Sequence, residues 1–267
     1  MVNARLRIGC IEYLNSQPLV VALPKILPRA EMVGGVPSAL ADRLAAGDLD
    51  AALIPVVEHL QHAHHDFVPG IAIGCDGPVW SVKLFCRCPI EWVRSVALDP
   101  ASRTSAALTR ILFSRHHGVS PEFVTWSPGS DPEQLDTDAV LIIGDRAITS
   151  DETRFPVVLD LGQLWKQWTG LPFVFAVWSC RSPILARLLR QPFMQAKHHG
   201  LRRLDKIARE WSTRMGWSVE QCHTYLANVL CYDFGPRQVR AVEYFRGLLE
   251  TIPDAAVIPR DSHGSAA

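Results

Sequence analysis

A two-lobed α/β architecture with a ligand cleft between the lobes is the fold class this chain predicts, on three observations. Strand-like and helix-like segments alternate from the first residues, the pattern of parallel sheets covered by helices. Two long apolar segments, 79–85 and 171–178, break that alternation, and each follows a Gly/Pro turn. The 267 residues, 48% hydrophobic and 20% charged, suffice for substantial cores and exclude a disordered chain.

The first unit opens with a strand at 7–13. Asn15-Ser16-Gln17-Pro18 then turns into a helix, with Pro18 suited to its first position. In the second unit Pro37 and Ser38 start a helix, Leu40 and Leu44 stand four apart, Gly47 closes it and 49–54 returns as a buried strand. The third unit has a strand at 96–98, a loop at 99–102 and a helix from Thr104 with Leu108, Ile111 and Leu112 on one face. Further strands read at 123–126 and 139–143. The two interrupting segments read as paired crossover strands joining the lobes. Lobe 1 is then discontinuous, 1–82 plus 177–267, and lobe 2 is the inserted 83–176. From 184 to 250 the pattern is helical, and the tail after Asp254 is expected to fray.

Charge excludes some functions. Lys plus Arg (27) equals Asp plus Glu (27), so no global field draws the chain to nucleic acid or membrane. The densest basic stretch is Arg187, Arg190, Lys197, Arg202, Arg203 and Lys206. It is interleaved with Leu188, Leu189, Leu201 and Leu204, which reads as a solvated helix face. No run reaches the roughly 18 to 20 apolar residues of a membrane span. The opening MVNARLRIGC has no secretory-signal pattern. The seven cysteines include no Cys-x-x-Cys pair, so neither a disulfide framework nor a zinc ribbon is suggested. No nucleic-acid or membrane partner and a cytoplasmic location are the expectations.

Chemistry concentrates at junctions. A helix N-terminus presents unpaired N–H groups and partial positive charge, so the Asn15-Ser16 turn suits a carboxylate or phosphate as well as simple capping. Ser102-Arg103-Thr104-Ser105 places three hydroxyls and a guanidinium after a strand end, where open α/β sheets bind ligands. Gly74-Cys75-Asp76-Gly77-Pro78 leads into Trp80-Ser81, with Ser81 expected to face the cleft. Ile143-Gly144-Asp145 ends an apolar strand on an acid, suited to a base or a cap. Among His59, His62, His64 and His65, only His59 and His62 share a helix face. Neither they nor His116-His117 stand at metal-ligand spacing, so no metal is expected. No Gly-x-Gly-x-x-Gly, phosphate loop or Gly-x-Ser-x-Gly elbow occurs. These residues predict a small-anion site built from hydroxyl, amide and backbone donors, without a cofactor.

Six blocks taken in order resemble one family: RIGCIEYLNSQPL (7–19), VPSALADRLAAGDLDAALIPVVE (36–58), GCDGPVWSVKLF (74–85), VALDPASRTSAALTRILF (96–113), DAVLIIGDRAI (138–148) and LDLGQLWKQWTGLPFVFAVW (159–178). They are similar to the chorismate dehydratases of the futalosine route to menaquinone, over most of the chain to about residue 180. The sister 1,4-dihydroxy-6-naphthoate synthases open with a different first motif, and YLNS-x-PL favours the dehydratase. The resemblance implies a type II periplasmic-binding-protein-like fold used as an enzyme. It implies loss of water from chorismate to give 3-[(1-carboxyvinyl)oxy]benzoate, with no cofactor. It assigns Asn15 and Ser81 to catalysis, with Asp145 as a rival to a substrate carboxylate for the base. Ser16, Ser102, Arg103, Thr104, Ser105 and Gly144 are the expected substrate contacts. The C-terminal Tyr232, Phe234, Gly235, Gln238 and Ala241 depart from the family pattern and are expected to pack against lobe 1. A non-catalytic small-anion receptor is the competing class.

Overall fold

The computed structural model describes residues 5–61, 66–127 and 129–252. Its strands are β1 (Arg7–Ile11), β2 (Glu31–Gly35), β3 (Ala51–Pro55), β4 (Asp66–Cys75), β5 (Val82–Cys86), β6 (Ser95–Leu98), β7 (Glu122–Thr125), β8 (Ala139–Ile143), β9 (Val157–Asp160), β10 (Phe173–Cys180) and β11 (Leu230–Cys231). They form two mixed sheets, ordered β11-β4-β10-β3-β1-β2 and β7-β6-β8-β5-β9. Strands β3, β8 and β10 are buried along their whole length. This is why they read as continuous apolar runs: both faces of each sheet are covered.

Each sheet contains a parallel trio with its first strand central: β1 between β2 and β3, and β6 between β7 and β8. Beside each trio lies one antiparallel strand that has come from the other sheet, β10 against β3 and β5 against β8. The two crossover segments therefore do not pair with each other, as the sequence had suggested. Their remaining edges are taken by β4 and β9. A strand that enters from the opposite sheet runs against the trio, and the trio's open edge offers it a full ladder. Sheet membership places Val82 in the second sheet and 173–176 in the first, a few residues from the expected lobe junctions at 82/83 and 176/177.

The C-terminal region from Pro183 to Leu249 is a series of helices joined by short turns and broken by one strand. After a π-turn at Tyr225–Val229, β11 pairs antiparallel with the end of β4. That short strand covers an edge otherwise left with unpaired backbone groups. Tyr232 and Ala241 are buried, as expected for packing against the first sheet. Lys197 is a correction, for it does not lie on a solvated helix face. It is 2% exposed, beneath β4, where its Nζ donates to Gly70 O (2.9 Å) and Asp233 Oδ1 (2.6 Å). A buried ammonium is tolerable only with such partners. The tail after Asp254 lies outside the described residues. No described helix is long and apolar enough to cross a membrane.

The chain passes between sheets at 76–81 and 161–172, and one carboxylate holds both passages. Asp160 accepts from the backbone N–H of Val79 (2.9 Å) and Trp80 (2.7 Å) in the first passage. It also accepts from Gln163 N–H (3.0 Å), capping the Leu161–Thr169 helix of the second. Gly162 permits this proximity, since a Cβ there would lie 2.6 Å from Cys75 Sγ and 2.7 Å from Gly77 O. Asp160→Ala removes a helix cap and the acceptor of two further N–H groups. It should lower unfolding free energy by about 2 to 4 kcal/mol, read as a lower urea midpoint at unchanged slope.

Candidate functional site

The carboxyl ends of the parallel strands of both sheets face one cleft, the place where open α/β sheets bind ligands. It holds about 460 Å³ of empty space within and at its mouth. Ile11 ends β1, Pro55 ends β3 and Ile143 ends β8, while Pro37 and Ser102 start helices just beyond β2 and β6. Ile73, Val79, Val82, Phe175 and Ala176 make the remaining walls apolar. The polar lining consists of Tyr13, Asn15, Ser81, Ser102 and Ser105. Among the described residues of this lining there is no His, Cys, Asp, Glu, Lys or Arg.

Five of the residues singled out from sequence meet here: Asn15, Ser81, Ser102, Ser105 and Gly144. Ser102 caps the Arg103–Ile111 helix, its Oγ accepting from Ser105 N–H at 3.3 Å, and the two hydroxyl oxygens are 3.0 Å apart. Positions three apart share a helix face, so both line the cleft and Arg103 and Thr104 turn away from it. Arg103 pairs with Asp42 (2.7 Å) and Glu58 (3.1 Å). Thr104 Oγ1 accepts from Val57 N–H at 3.2 Å. Ser16 is likewise directed to backbone, donating to Ile11 O (2.6 Å) or Tyr13 O (2.8 Å). The Asn15-Ser16 turn thus contributes its amide to the cleft, while its hydroxyl secures the turn.

Ser81 is 1% exposed and is set by strained backbone. Trp80 before it has φ +62°, the only positive φ at a non-glycine among the described residues. A bulky residue rarely occupies that region, and such strain clusters at functional sites. Asp160 holds the Trp80 N–H, and Gly144 N–H donates to Ser81 O at 2.8 Å.

Asp145 lies outside the cleft. Its Oδ1 accepts from Leu14 N–H at 3.0 Å, a bond between the two lobes, in a separate groove with Glu12, Arg146 and Arg214. Burial pushes its carboxyl up to about 6, against the Leu14 hydrogen bond and Arg214, which pull the other way. Asp99, in the loop after β6, is 4% exposed and is also raised by burial to about 6. It accepts from Ala101 N–H (2.9 Å) and Ile143 N–H (3.1 Å) and so ties the ends of β6 and β8.

Tyr13 lines the cleft, and neither it nor the buried Tyr225 carries a local motif of its own. Tyr13 stands beside Asn15 in the first motif, and that adjacency was its available signal. Tyr225 lies in a helical stretch with no local mark. His59 bonds Ser179 Oγ through Nδ1 (3.1 Å), whereas His62, His64 and His65 lie outside the described residues. Among the described residues no three His, Cys, Asp or Glu side chains gather as metal ligands.

Two mixed sheets joined by two crossovers around a cleft define the periplasmic-binding-protein-like class. Solved structures share the fold. A protein from Archaeoglobus fulgidus superposes with TM-score 0.77 at 14% identity, covering 94% of this chain and 98% of its own. The alkanesulfonate-binding protein SsuA from Xanthomonas axonopodis pv. citri, bound to MOPS, gives 0.62 at 14%, covering 96% and 95%. Within that class the chain belongs to the menaquinone biosynthesis family, whose model matches residues 6–251. A chorismate dehydratase from Thermus thermophilus is 32% identical over 228 residues, 78% of this chain and 82% of that protein. Another from Campylobacter jejuni is 26% identical over 247 residues, 89% and 94% respectively.

Two outcomes follow for this site. Gly144 has φ +67°, and a Cβ there would lie 3.0 Å from the Tyr13 ring across the cleft. Gly144→Ala should cost about 1 to 2 kcal/mol of stability and weaken ligand binding. Adding Tyr13→Ala should recover the steric share, measured by thermal melting and ligand titration. Asp145 binds its proton more tightly folded than unfolded, so the stability it contributes is full below its unfolded value of 3.8. That contribution is lost as pH rises towards about 6. Asp145→Asn should therefore gain on wild type by about 2 kcal/mol between pH 4 and pH 7, measured by urea unfolding at both.

Proposed function

We propose that this chain is a chorismate dehydratase, acting without a cofactor in the cytoplasm and converting chorismate to 3-[(1-carboxyvinyl)oxy]benzoate. The reading is supported by family membership, the two dehydratase relatives and the composition of the cleft. One ring C–H loses its proton, the hydroxyl on the adjacent carbon leaves, and the two depart together as water. Formation of the aromatic ring supplies much of the driving force, so positioning forms a large part of the catalysis.

The observation that carries the mechanism is the cleft lining. Among its described residues no His, Asp, Glu, Lys or Cys side chain stands in it to take the ring proton. The base is then supplied by the substrate: the enolpyruvyl carboxylate takes the ring proton and passes it to the departing hydroxide, which leaves as water. Asn15 orients that substrate and the Ser81 hydroxyl donates to the departing oxygen. The ring carboxylate is assigned to Ser102, Ser105 and the N-terminus of the Arg103–Ile111 helix, where N–H groups and the helix dipole favour an anion. Apolar walls suit the carbocycle. The Leu14 bond turns Asp145 away from the cleft and favours the substrate carboxylate over it as base.

Incubation with chorismate should yield an aromatic product lighter by one water, followed by ultraviolet absorbance and mass spectrometry. Asn15→Ala and Ser81→Ala should each lower kcat by about 100-fold or more, while Asp145→Asn stays within a few-fold of wild type. Tight chorismate binding with no product sinks the enzyme reading. Loss of turnover in Asp145→Asn with binding intact makes Asp145 the base.

A further inference from the structure

The segment 101–105 presents Ser102 and Ser105 to the cleft, and its other side is docked against two helices of the first sheet. These helices span Pro37–Ala45 and Val56–Gln61. The first N–H groups of a helix have no acceptor within it, and here two of those acceptors come from the second sheet's turn. Ser38 N–H donates to Ala101 O at 3.1 Å, and Val57 N–H donates to Thr104 Oγ1 at 3.2 Å. Each donor is the second residue of its helix.

Arg103 spans the same two helices. Its Nη2 donates to Asp42 Oδ2 at 2.7 Å, one turn on from Ser38, and its Nη1 stands 3.1 Å from Glu58 Oε1, next to Val57. Glu58 is 5% exposed and the Arg103 side chain 11%. A carboxylate so far from water needs a counter-charge, and this one receives it from across the junction between the sheets. The planar fork suits the task, because two of its nitrogens can hold two carboxylates in fixed directions. Ala101, Arg103 and Thr104 thus face the dock, while Ser102 and Ser105 bond to each other and face the cleft. The place of the two hydroxyls relative to the first sheet is set by the residues beside them.

We propose that Arg103 is a positioning residue that locks the 101–105 segment onto the first sheet, so that the cleft closes with Ser102 and Ser105 in place. A ligand then meets an assembled wall, and its apparent affinity is not reduced by a large open fraction. The kinetic consequence rests on the chorismate dehydratase reading, whereas the lock does not.

Arg103→Gln removes the fork. In ligand-free protein the amide protons of Ser38 and Val57 should then exchange about tenfold faster or more, with those of the β5–β8 ladder unchanged. KM for chorismate should rise about tenfold or more with kcat within about threefold, because saturating ligand restores the docked arrangement. Adding Glu58→Gln should cost nothing further, since the pair is already broken. That double variant leaves no unmatched buried carboxylate at the dock, and it replaces Arg103→Gln in these measurements where the single variant does not fold. Wild-type exchange at Ser38 and Val57, or acceleration of all amides together, overturns the proposal. So does a KM within about twofold of wild type, a collapse of kcat at unchanged KM, or losses that multiply in the double variant. Wild-type protein that does not turn over chorismate removes the dehydratase reading instead, and amide exchange still decides the lock.

Discussion

Two sheets share this molecule through two short passages of backbone, and a single half-buried carboxylate ties those passages together. Asp160 receives Val79 and Trp80 from one passage and Gln163 from the other. Burial alone drives its carboxyl upward, and those N–H donors oppose the shift. The bonds have a consequence beyond stability, for they hold Trp80 in a backbone region that tryptophan rarely adopts. The next residue, Ser81, then enters the cleft. The hydroxyl assigned to the leaving group is thus carried by the joint between the lobes, not by either lobe. Its reach depends on how that joint is braced.

Among the described residues no charged side chain lines the cleft to neutralise an anion, yet the charges around it are ordered. Arg103, next to the capping Ser102, is already matched by Asp42 and Glu58. Asp99 and Asp145 approach the site but turn their oxygens to backbone N–H groups of Ala101, Ile143 and Leu14. What remains facing the ligand is a set of hydroxyls, one amide and helix N-termini, all fixed dipoles with no proton of ordinary acidity. Fixed dipoles of this kind bind an anion without competing for its protons, which is what the proposed use of a substrate carboxylate as base requires.

Much of this was legible in the sequence, for identifiable reasons. A strand buried on both faces must be apolar throughout, so 139–143 could be read to the residue. Helix starts carried Pro, Ser or Asn where caps belong. Pairing between distant segments left no local trace, and this is why β5 and β10 could be recognised as crossovers but not assigned their partners. Asn15, Ser81, Ser102, Ser105 and Gly144, which line the cleft, could be singled out because they stand at turns, helix starts and a crossover between strands and helices. Arg103 and Thr104 were included with them because helix phase is invisible until one face is known to be inward. Lys197 was misread because its long stem lets one lysine span from a buried face to Asp233.

The segment 13–15 joins these threads. Tyr13 packs against Gly144, Leu14 N–H bonds Asp145, and Asn15 lines the cleft. The first two contacts cross between the lobes, and the third is with the ligand space. Separating the lobes would break the Tyr13 and Leu14 contacts together, and it would also draw Asn15 away from Ser102 and Ser105 on the opposite wall. Closure and assembly of the site are therefore one event in this geometry. A reaction that uses the substrate's own carboxylate needs such coupling, since in an open cleft water would solvate that carboxylate and weaken it as a base. The tight approach of Tyr13 to Gly144, where a Cβ would lie 3.0 Å from the ring, sets how closely the lobes can meet.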